Sequence, residues 1–448
     1  MKGGKVSIRL KKKGGRYGVH LSEYKLTAQS PIESVPLPQK VIIPLHQNIG
    51  APCQALVKRG DKVVTGQKIG DSERYVSCPV HATISGEVSA TTTVINPPTG
   101  QPVTALVITS DAADKWVESE ATKELKTLSI EEILGRIREA GIVGLGGAAF
   151  PTHVKLSPPK GKKIDTVILD GCECEPYITS DHRVMLEYGE KVLSGLNIIR
   201  KVLSPDNIYI AIEDNKDDAI DHMEELIEAM GFKGDFKLIP LKSGWYPMGA
   251  EKTLIETILG RQVPIDGLPL DVGVVVHNVG TAKAIHDAIF ESKPLIDRVI
   301  TVTGAVKNPK NLLVRLGTPL RSLIDYCGGI DGKANEVILG GPMMGISQND
   351  LDFPVIKGTN CVLVKETTLV GEQECIRCGR CLEVCPMRLA PTTLVKYAKA
   401  GRYDECKEAY ITDCFECGAC AYMCPANIPL VQYIKVAKGE LIKRAARK

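Results

Sequence analysis

The chain has 448 residues, with 56 Lys and Arg against 53 Asp and Glu, a net charge of +3, 24% charged residues and 5% aromatics. That length exceeds a single hydrophobic core and predicts several domains. The near-neutral balance and sparse aromatics exclude an electrostatic or stacking case for nucleic acid, so no nucleic acid partner is expected. The longest apolar runs, such as Val272–Val276, fall far short of the roughly 18 residues that cross a bilayer, so any membrane role is peripheral.

Residues 1–30 are polar and Lys-rich, with no period, and read as an N-terminal arm. From Val41 the pattern changes to short β-branched runs broken by turns: Val41–Pro44, Ala55–Val57, Gly60–Val64, Gly66–Ile69 and Pro79–Val88. The pieces G-D-x-V-x-x-G-Q-x-I and P-V-x-A-x-I-S-G-x-V resemble the flattened β barrel of biotinyl and lipoyl carrier domains, which implies a barrel-sandwich domain over 31–115. The stretch between Ile69 and Pro79 contains no lysine to carry a prosthetic group, so the domain is expected to be a scaffold or docking module.

After a polar linker, Ser129 and Glu132 form a capping box, and the isoleucines that follow fall at helical spacing up to Gly141. Next comes Gly144-Leu-Gly146-Gly147-Ala-Ala-Phe150-Pro-Thr-His-Val-Lys155. A dinucleotide fingerprint follows a strand, whereas this loop follows a helix. Residues without side chains still let backbone N–H groups approach an anion, with Lys155 supplying charge; a helix-capping turn is the structural alternative. The apolar run Ile164–Leu169 reads as a buried strand and leads into Asp170-Gly-Cys172-Glu173-Cys174-Glu175-Pro176. Carboxylates at the C-terminal end of such a strand stand where α/β folds bind ligands, so Glu173 and Glu175 are candidates for ribose or flavin contacts. A solvated acidic loop, or a metal site of Cys172 and Cys174 with His153 or His182, are the alternatives.

The C-terminal region carries two copies of C-x2-C-x2-C-x3-C-P, at Cys375, Cys378, Cys381 and Cys385, and at Cys414, Cys417, Cys420 and Cys424. This spacing wraps three thiolates around one [4Fe–4S] cluster and projects the fourth toward the other cluster. The expected ligand sets are crossed: Cys375, Cys378, Cys381 and Cys424 for one cluster, and Cys385, Cys414, Cys417 and Cys420 for the other. Paired structural zinc sites are the alternative. Eight of the 15 cysteines stand in these motifs and must stay reduced, and no signal-peptide pattern is seen, which implies a reducing, cytoplasmic setting. The segment between the motifs has helical patches at Thr393–Ala400 and Asp404–Tyr410, so an α-helical dicluster domain is expected, with Cys406 buried and free.

The glycine loop with its lysine, then Glu-Cys-Glu-Pro, then Tyr246-Pro-Met-Gly249-Ala-Glu251-Lys-Thr, then His277-Asn278-Val-Gly-Thr281 resemble, in the same order, the flavin-site segments of the NADH-oxidising subunit of respiratory complex I. The resemblance implies a non-covalent FMN whose phosphate lies on Gly144, Gly146, Gly147 and Lys155, with His277, Asn278 and Thr281 as further contacts. It also implies Glu175 and Glu251 around the nicotinamide nucleotide and Phe150 against its adenine. Asp170, Cys172 and Cys174 depart from the Asn, Asp and Ser usual in that family.

The whole chain resembles the C subunit of the Rnf (Rsx) ion-translocating electron-transport complex. That resemblance implies a multidomain α/β and α+β chain: the barrel-sandwich domain, a Rossmann-like FMN- and NADH-binding domain (116–297), a β-grasp, soluble-ligand-binding domain (298–360) and a helical ferredoxin domain (361–448). In the β-grasp segment, Met343 and Met344 are expected as gap-filling core. The implied function is electron entry between NADH and ferredoxin through FMN and two clusters, coupled to sodium ion or proton translocation, at the cytoplasmic side of the membrane. Its partners would be the other subunits and, indirectly, ferredoxin. FMN is needed because hydride carries two electrons and a cluster accepts one; no side-chain nucleophile or base is required. A soluble flavin/iron–sulfur cobalamin reductase and a non-catalytic relay subunit are the rival readings. The former lacks a carrier-like domain, which 41–95 supplies here.

Overall fold

The computed structural model describes residues 17–96, 100–118, 124–368 and 370–446. Its barrel-sandwich region pairs a four-stranded sheet, ordered Lys40–Pro44, Gln101–Ser110, Gly86–Asn96 and Lys62–Val63, with a three-stranded one of Gln54–Ala55, Lys68–Asp71 and Val80–His81. The β-branched positions that alternate along these strands, among them Val41, Ile43, Ile69, Val88 and Ile108, are fully buried between the sheets, together with Ile84 of the bend before Gly86. Gly86–Asn96 and Gln101–Ser110 form a long hairpin. Its outer half is Thr-rich and largely exposed, with Ile95 in solvent and Val94 packed against the main core.

The next domain is built on a parallel four-stranded sheet ordered Phe236–Leu241, Asn207–Glu213, Thr166–Gly171 and Val274–Asn278. The chain order reverses between Thr166–Gly171 and Val274–Asn278, and Asp170 is registered beside Asn278 at their C-terminal ends. A topological switch point of this kind opens the crevice in which α/β sheets bind ligands. The helix Ile130–Glu139 begins in the expected capping box, with Ser129 accepting from the Glu132 amide at 3.2 Å and Glu132 from the Ser129 amide at 2.7 Å. Gly141, at φ +69°, ends it and turns the chain into the glycine loop.

A third, six-stranded sheet runs Ile346–Gln348, Glu336–Leu339, Cys361–Lys365, Asp297–Gly304, Lys310–Arg315 and Ile32–Ser34. Two boundaries expected from the sequence move here. Cys361–Lys365, expected at the start of the ferredoxin domain, is an interior strand of this sheet, and Ile32–Ser34, expected in the barrel, is its edge. Both are short strands whose partners lie far away in sequence. The described part of the expected arm is likewise docked: Val19–His20 pairs with Trp245–Tyr246, and the Lys25 ammonium is buried.

The C-terminal domain is helical, as expected, with Pro391–Lys399, Tyr403–Glu408 and Leu430–Ala446 packed around Leu394, Cys406, Ile411 and Ile434. Cys406 is buried and free. No helix among the described residues is long and apolar enough to cross a membrane.

Candidate flavin and iron–sulfur site

The glycine loop lies at the switch point. Thr281, at the start of helix Val279–Phe290, accepts a hydrogen bond from the Leu145 amide at 2.9 Å, and a Cβ on Gly146 would stand 3.3 Å from the Asn278 Cβ. Gly147, at φ +131°, faces open space. Asn278 caps the helix by accepting from the Gly280 amide at 2.9 Å, and its side-chain amide donates to Asp181 at 2.6 Å. Lys155 pairs with Glu251. His277 is 3% exposed and its Nε2 has no partner among the described residues; burial, then the nearby Lys155 charge, hold it well below the usual imidazole range and neutral. Burial lifts the Asp170 carboxyl to about 6, with Glu251 adding to the rise. Glycine backbone, one cation and an unsatisfied buried nitrogen converge on one crevice. They fit an anionic, hydrogen-bonding cofactor such as FMN.

The acidic loop is used differently from the sequence expectation. Glu173, expected toward ribose or flavin, turns onto the N-terminus of helix Ser180–Glu187 and accepts from the Asp181 amide at 2.6 Å and the His182 amide at 3.3 Å. Unpaired first-turn N–H groups attract a carboxylate there. Glu175 accepts from the Met343 amide at 3.1 Å and the Met344 amide at 2.8 Å, so it holds the β-grasp loop; burial raises its carboxyl to about 7. Met343 packs in a core, but Met344, expected there too, is 45% exposed. Two lysines without any sequence signal shape this loop. Lys25 donates to the carbonyls of Glu173, Glu175 and Ile178 at 2.7, 2.9 and 2.7 Å, and Lys216 donates to the Cys172 carbonyl at 2.6 Å. A metal site on Cys172 and Cys174 is not assembled. His182 pairs with Asp218 and His153 meets the Tyr75 carbonyl, both away from the two thiols.

The other domains close around the crevice. Ile49 of the barrel donates to the Ala149 carbonyl at 3.1 Å. The buried Lys357 joins barrel, flavin domain and β-grasp by donating to Pro79 and Gly141, each at 2.7 Å. Phe150 is half-buried, and its carbonyl accepts from the Gly144 amide at 2.9 Å.

All 15 cysteines of the chain are free of disulfides. In the ferredoxin domain Cys385, Cys414, Cys417 and Cys420 line one cavity, and after burial the neighbouring Cys417, Cys414 and Cys385 push the Cys420 thiol up. Cys424 instead acts on the Cys381 thiol, whose rise is owed first to burial. Cys385 thus stands with the three cysteines of the second motif, and four sulfurs lining one cavity fit a cubic cluster; of the other expected set, the structure brings Cys424 to Cys381. Cys375 and Cys378 are exposed, while Cys385, Cys417 and Cys420 are buried. The buried set faces the flavin domain, where Cys417 packs with Tyr246, Cys174, Met343 and Val19.

Comparison with known proteins matches these regions one by one. Residues 14–113 match the RnfC barrel sandwich hybrid domain, 137–287 the Nuo51 FMN-binding domain, 299–347 the SLBB domain and 372–428 the 4Fe-4S dicluster domain. The chain is 48% identical, over 89% of its length and 87% of the relative's, to the C subunit of the proton-translocating ferredoxin:NAD(+) oxidoreductase complex of Clostridium ljungdahlii. It is 43% identical over 88% and 89% to the Na(+)-translocating counterpart of Acetobacterium woodii. With the C subunit of the ion-translocating oxidoreductase complex of Rhodobacter capsulatus the identity is 40% over 97% and 84%. Among solved structures, an NAD+-reducing [NiFe]-hydrogenase in the H2-reduced state shares the fold at TM-score 0.50 and 17% identity, covering 70% of this chain and 61% of the other. The chain thus belongs to the C-subunit family of ion-translocating ferredoxin:NAD(+) oxidoreductase complexes.

Proposed function

We propose that this chain is the NADH-side electron-entry subunit of a membrane-bound complex that passes electrons between NADH and ferredoxin and couples the transfer to sodium ion or proton translocation. The observation that carries the proposal is the abutment of the switch-point crevice, with its glycine loop, Lys155 and unpaired His277, on the buried four-cysteine cavity through Tyr246 and Cys174. When bound, FMN supplies the conversion between a two-electron hydride donor and one-electron acceptors.

The roles proposed for the chain's own residues are supported by the family resemblance and by the crevice that they line. Gly144, Gly146, Gly147 and Lys155 would hold the FMN phosphate, with Lys155 leaving Glu251 for it. His277, Asn278, Thr281 and Asp170 would line the same crevice, His277 offering a neutral ring nitrogen. Glu251, once released, becomes the carboxylate available to the nicotinamide nucleotide, with Phe150 toward its adenine. Glu175 holds the β-grasp loop beside the site, and Glu173 holds the helix behind it. The buried cluster set, Cys385, Cys414, Cys417 and Cys420, stands next to the flavin site. The set Cys375, Cys378, Cys381 and Cys424 has two exposed ligands and would face the next carrier. A chain with an exposed terminal cluster and no membrane-spanning helix among its described residues suits a peripheral position on the cytoplasmic side, docked on the other subunits.

The test uses the purified, cofactor-loaded chain under anaerobic conditions. NADH should bleach the flavin band and electrons should reach an artificial acceptor, while ferredoxin is reduced only when the rest of the membrane complex is added. Rapid reduction of ferredoxin by the isolated chain would refute the assignment.

A further inference from the structure

The Tyr246 hydroxyl is buried and donates to the Cys417 carbonyl at 2.7 Å, across the boundary between the flavin and ferredoxin domains. Tyr246 is 2% exposed and belongs to the segment that also carries Gly249 and Glu251. A second connection reaches the same turn. The Met343 amide donates to Glu175, and the Met343 carbonyl presses on Gly418, where a Cβ would stand 2.6 Å from its oxygen. Gly418, at φ +82°, follows Cys417 and opens the short helix that carries Cys420. The Glu175 carboxyl also meets the Tyr246 hydroxyl, so the one hydroxyl hydrogen is shared between Glu175 and the Cys417 carbonyl. The Cys417–Gly418 peptide is thus held from the flavin domain by a hydroxyl on its carbonyl and a steric stop on its glycine.

We infer that Tyr246 is a positioning residue for the cluster of Cys385, Cys414, Cys417 and Cys420, fixing its distance from the flavin site and raising its reduction potential through the Cys417 peptide. The inference rests on the assignment of those four cysteines to one cluster. A hydroxyl whose hydrogen points at the carbonyl of a ligand residue places positive charge beside the cluster. Reduction adds negative charge, so the reduced form is favoured, and outer hydrogen bonds of this kind tune iron–sulfur potentials. The other cluster, whose ligands Cys375 and Cys378 are exposed, has no such contact with Tyr246 among the described residues and stays outside the effect.

The test is an EPR-monitored redox titration of the full, cofactor-loaded chain, with the signal altered by Cys385→Ser marking the cluster in question. Tyr246→Phe keeps the ring and removes only the hydroxyl. It should move that cluster to lower potential, leave the other where it was, and leave iron and flavin per chain unchanged. Tyr246→3-fluorotyrosine keeps the hydroxyl as a stronger donor and should move the same cluster the opposite way; this arm decides the matter if Tyr246→Phe loses iron. Two wild-type titrations in the fluorotyrosine protein, or an equal shift of both clusters in either variant, would overturn the inference. A Cys385→Ser protein that loses the cluster of Cys375 and Cys378 would instead overturn the ligand assignment.

Discussion

The ion pair between Lys252 and Asp413 is a sharp probe of how the flavin and ferredoxin domains are joined. Asp413 directly precedes the cluster ligand Cys414, its side chain is 5% exposed, and it accepts from the Lys252 ammonium at 2.8 Å and from the Asp266 amide at 3.2 Å. At an effective dielectric constant of about 20 the pair attracts by about 6 kcal/mol, and removing one partner of a buried pair costs about 3–5 kcal/mol. Lys252 remains 22% exposed, and the Asp266 amide still serves Asp413, so Lys252→Met should cost about 2–3 kcal/mol at this junction. Hydrogen exchange in the loaded chain would show this as amides of 411–418 exchanging about thirty- to 160-fold faster, with those of the barrel unchanged. Replacing both partners by apolar residues, as in Lys252→Met with Asp413→Leu, should recover most of the loss, because no buried charge is then left alone. An exchange rate within twofold of wild type in the single variant would refute the view that this pair holds the domains together.

Gly146→Val would place a branched side chain against Asn278, where a Cβ already comes to 3.3 Å, so bound FMN should be lost while iron stays at about eight per chain. Released flavin and retained iron are read from absorbance and metal analysis, and flavin that stays with the denatured polypeptide would contradict non-covalent binding. The buried carboxyls of Asp181, Glu175 and Glu213 are each raised to about 7, above their unfolded values of roughly 4. A raised carboxyl contributes stability that is present below about pH 4 and is lost as pH climbs through about 7, so the cofactor-free flavin domain should melt at lower temperature at pH 8 than at pH 6. Asp181→Asn keeps an acceptor for Asn278 and should flatten that slope; a melting temperature that rises from pH 6 to pH 8 would reverse the sign of the argument.

What the sequence disclosed was set by how local each feature is. The cysteine motifs were legible because the three cysteines of each repeat lie close together in sequence, and the structure places Cys385 among the second repeat's cysteines and Cys424 beside Cys381. The helix at Ile130–Glu139 was legible because its capping box is written within four residues. The carboxylates were not. Glu173 and Glu175 sit two residues apart in one acidic loop, yet one satisfies the end of a helix and the other a loop about 170 residues away. Lys25 was hidden for the same reason: nothing in a Lys-rich arm marks the ammonium that burial desolvates and three distant carbonyls bind. The edge strand Ile32–Ser34 is too short for an alternating pattern, and its pairing with Lys310–Arg315 is a tertiary fact.

The central claim is that electrons from NADH enter at the switch-point crevice and leave through the buried cluster. It is tested most directly by rapid anaerobic mixing of the loaded chain with NADH, following the flavin band and the cluster EPR signals together. Flavin bleaching should saturate with NADH, and the electron should appear on the cluster of Cys385, Cys414, Cys417 and Cys420 before the other, with Cys385→Ser stopping the second stage but not the first. A flavin that stays oxidised in excess NADH, or an exposed cluster that is reduced first, would contradict the account.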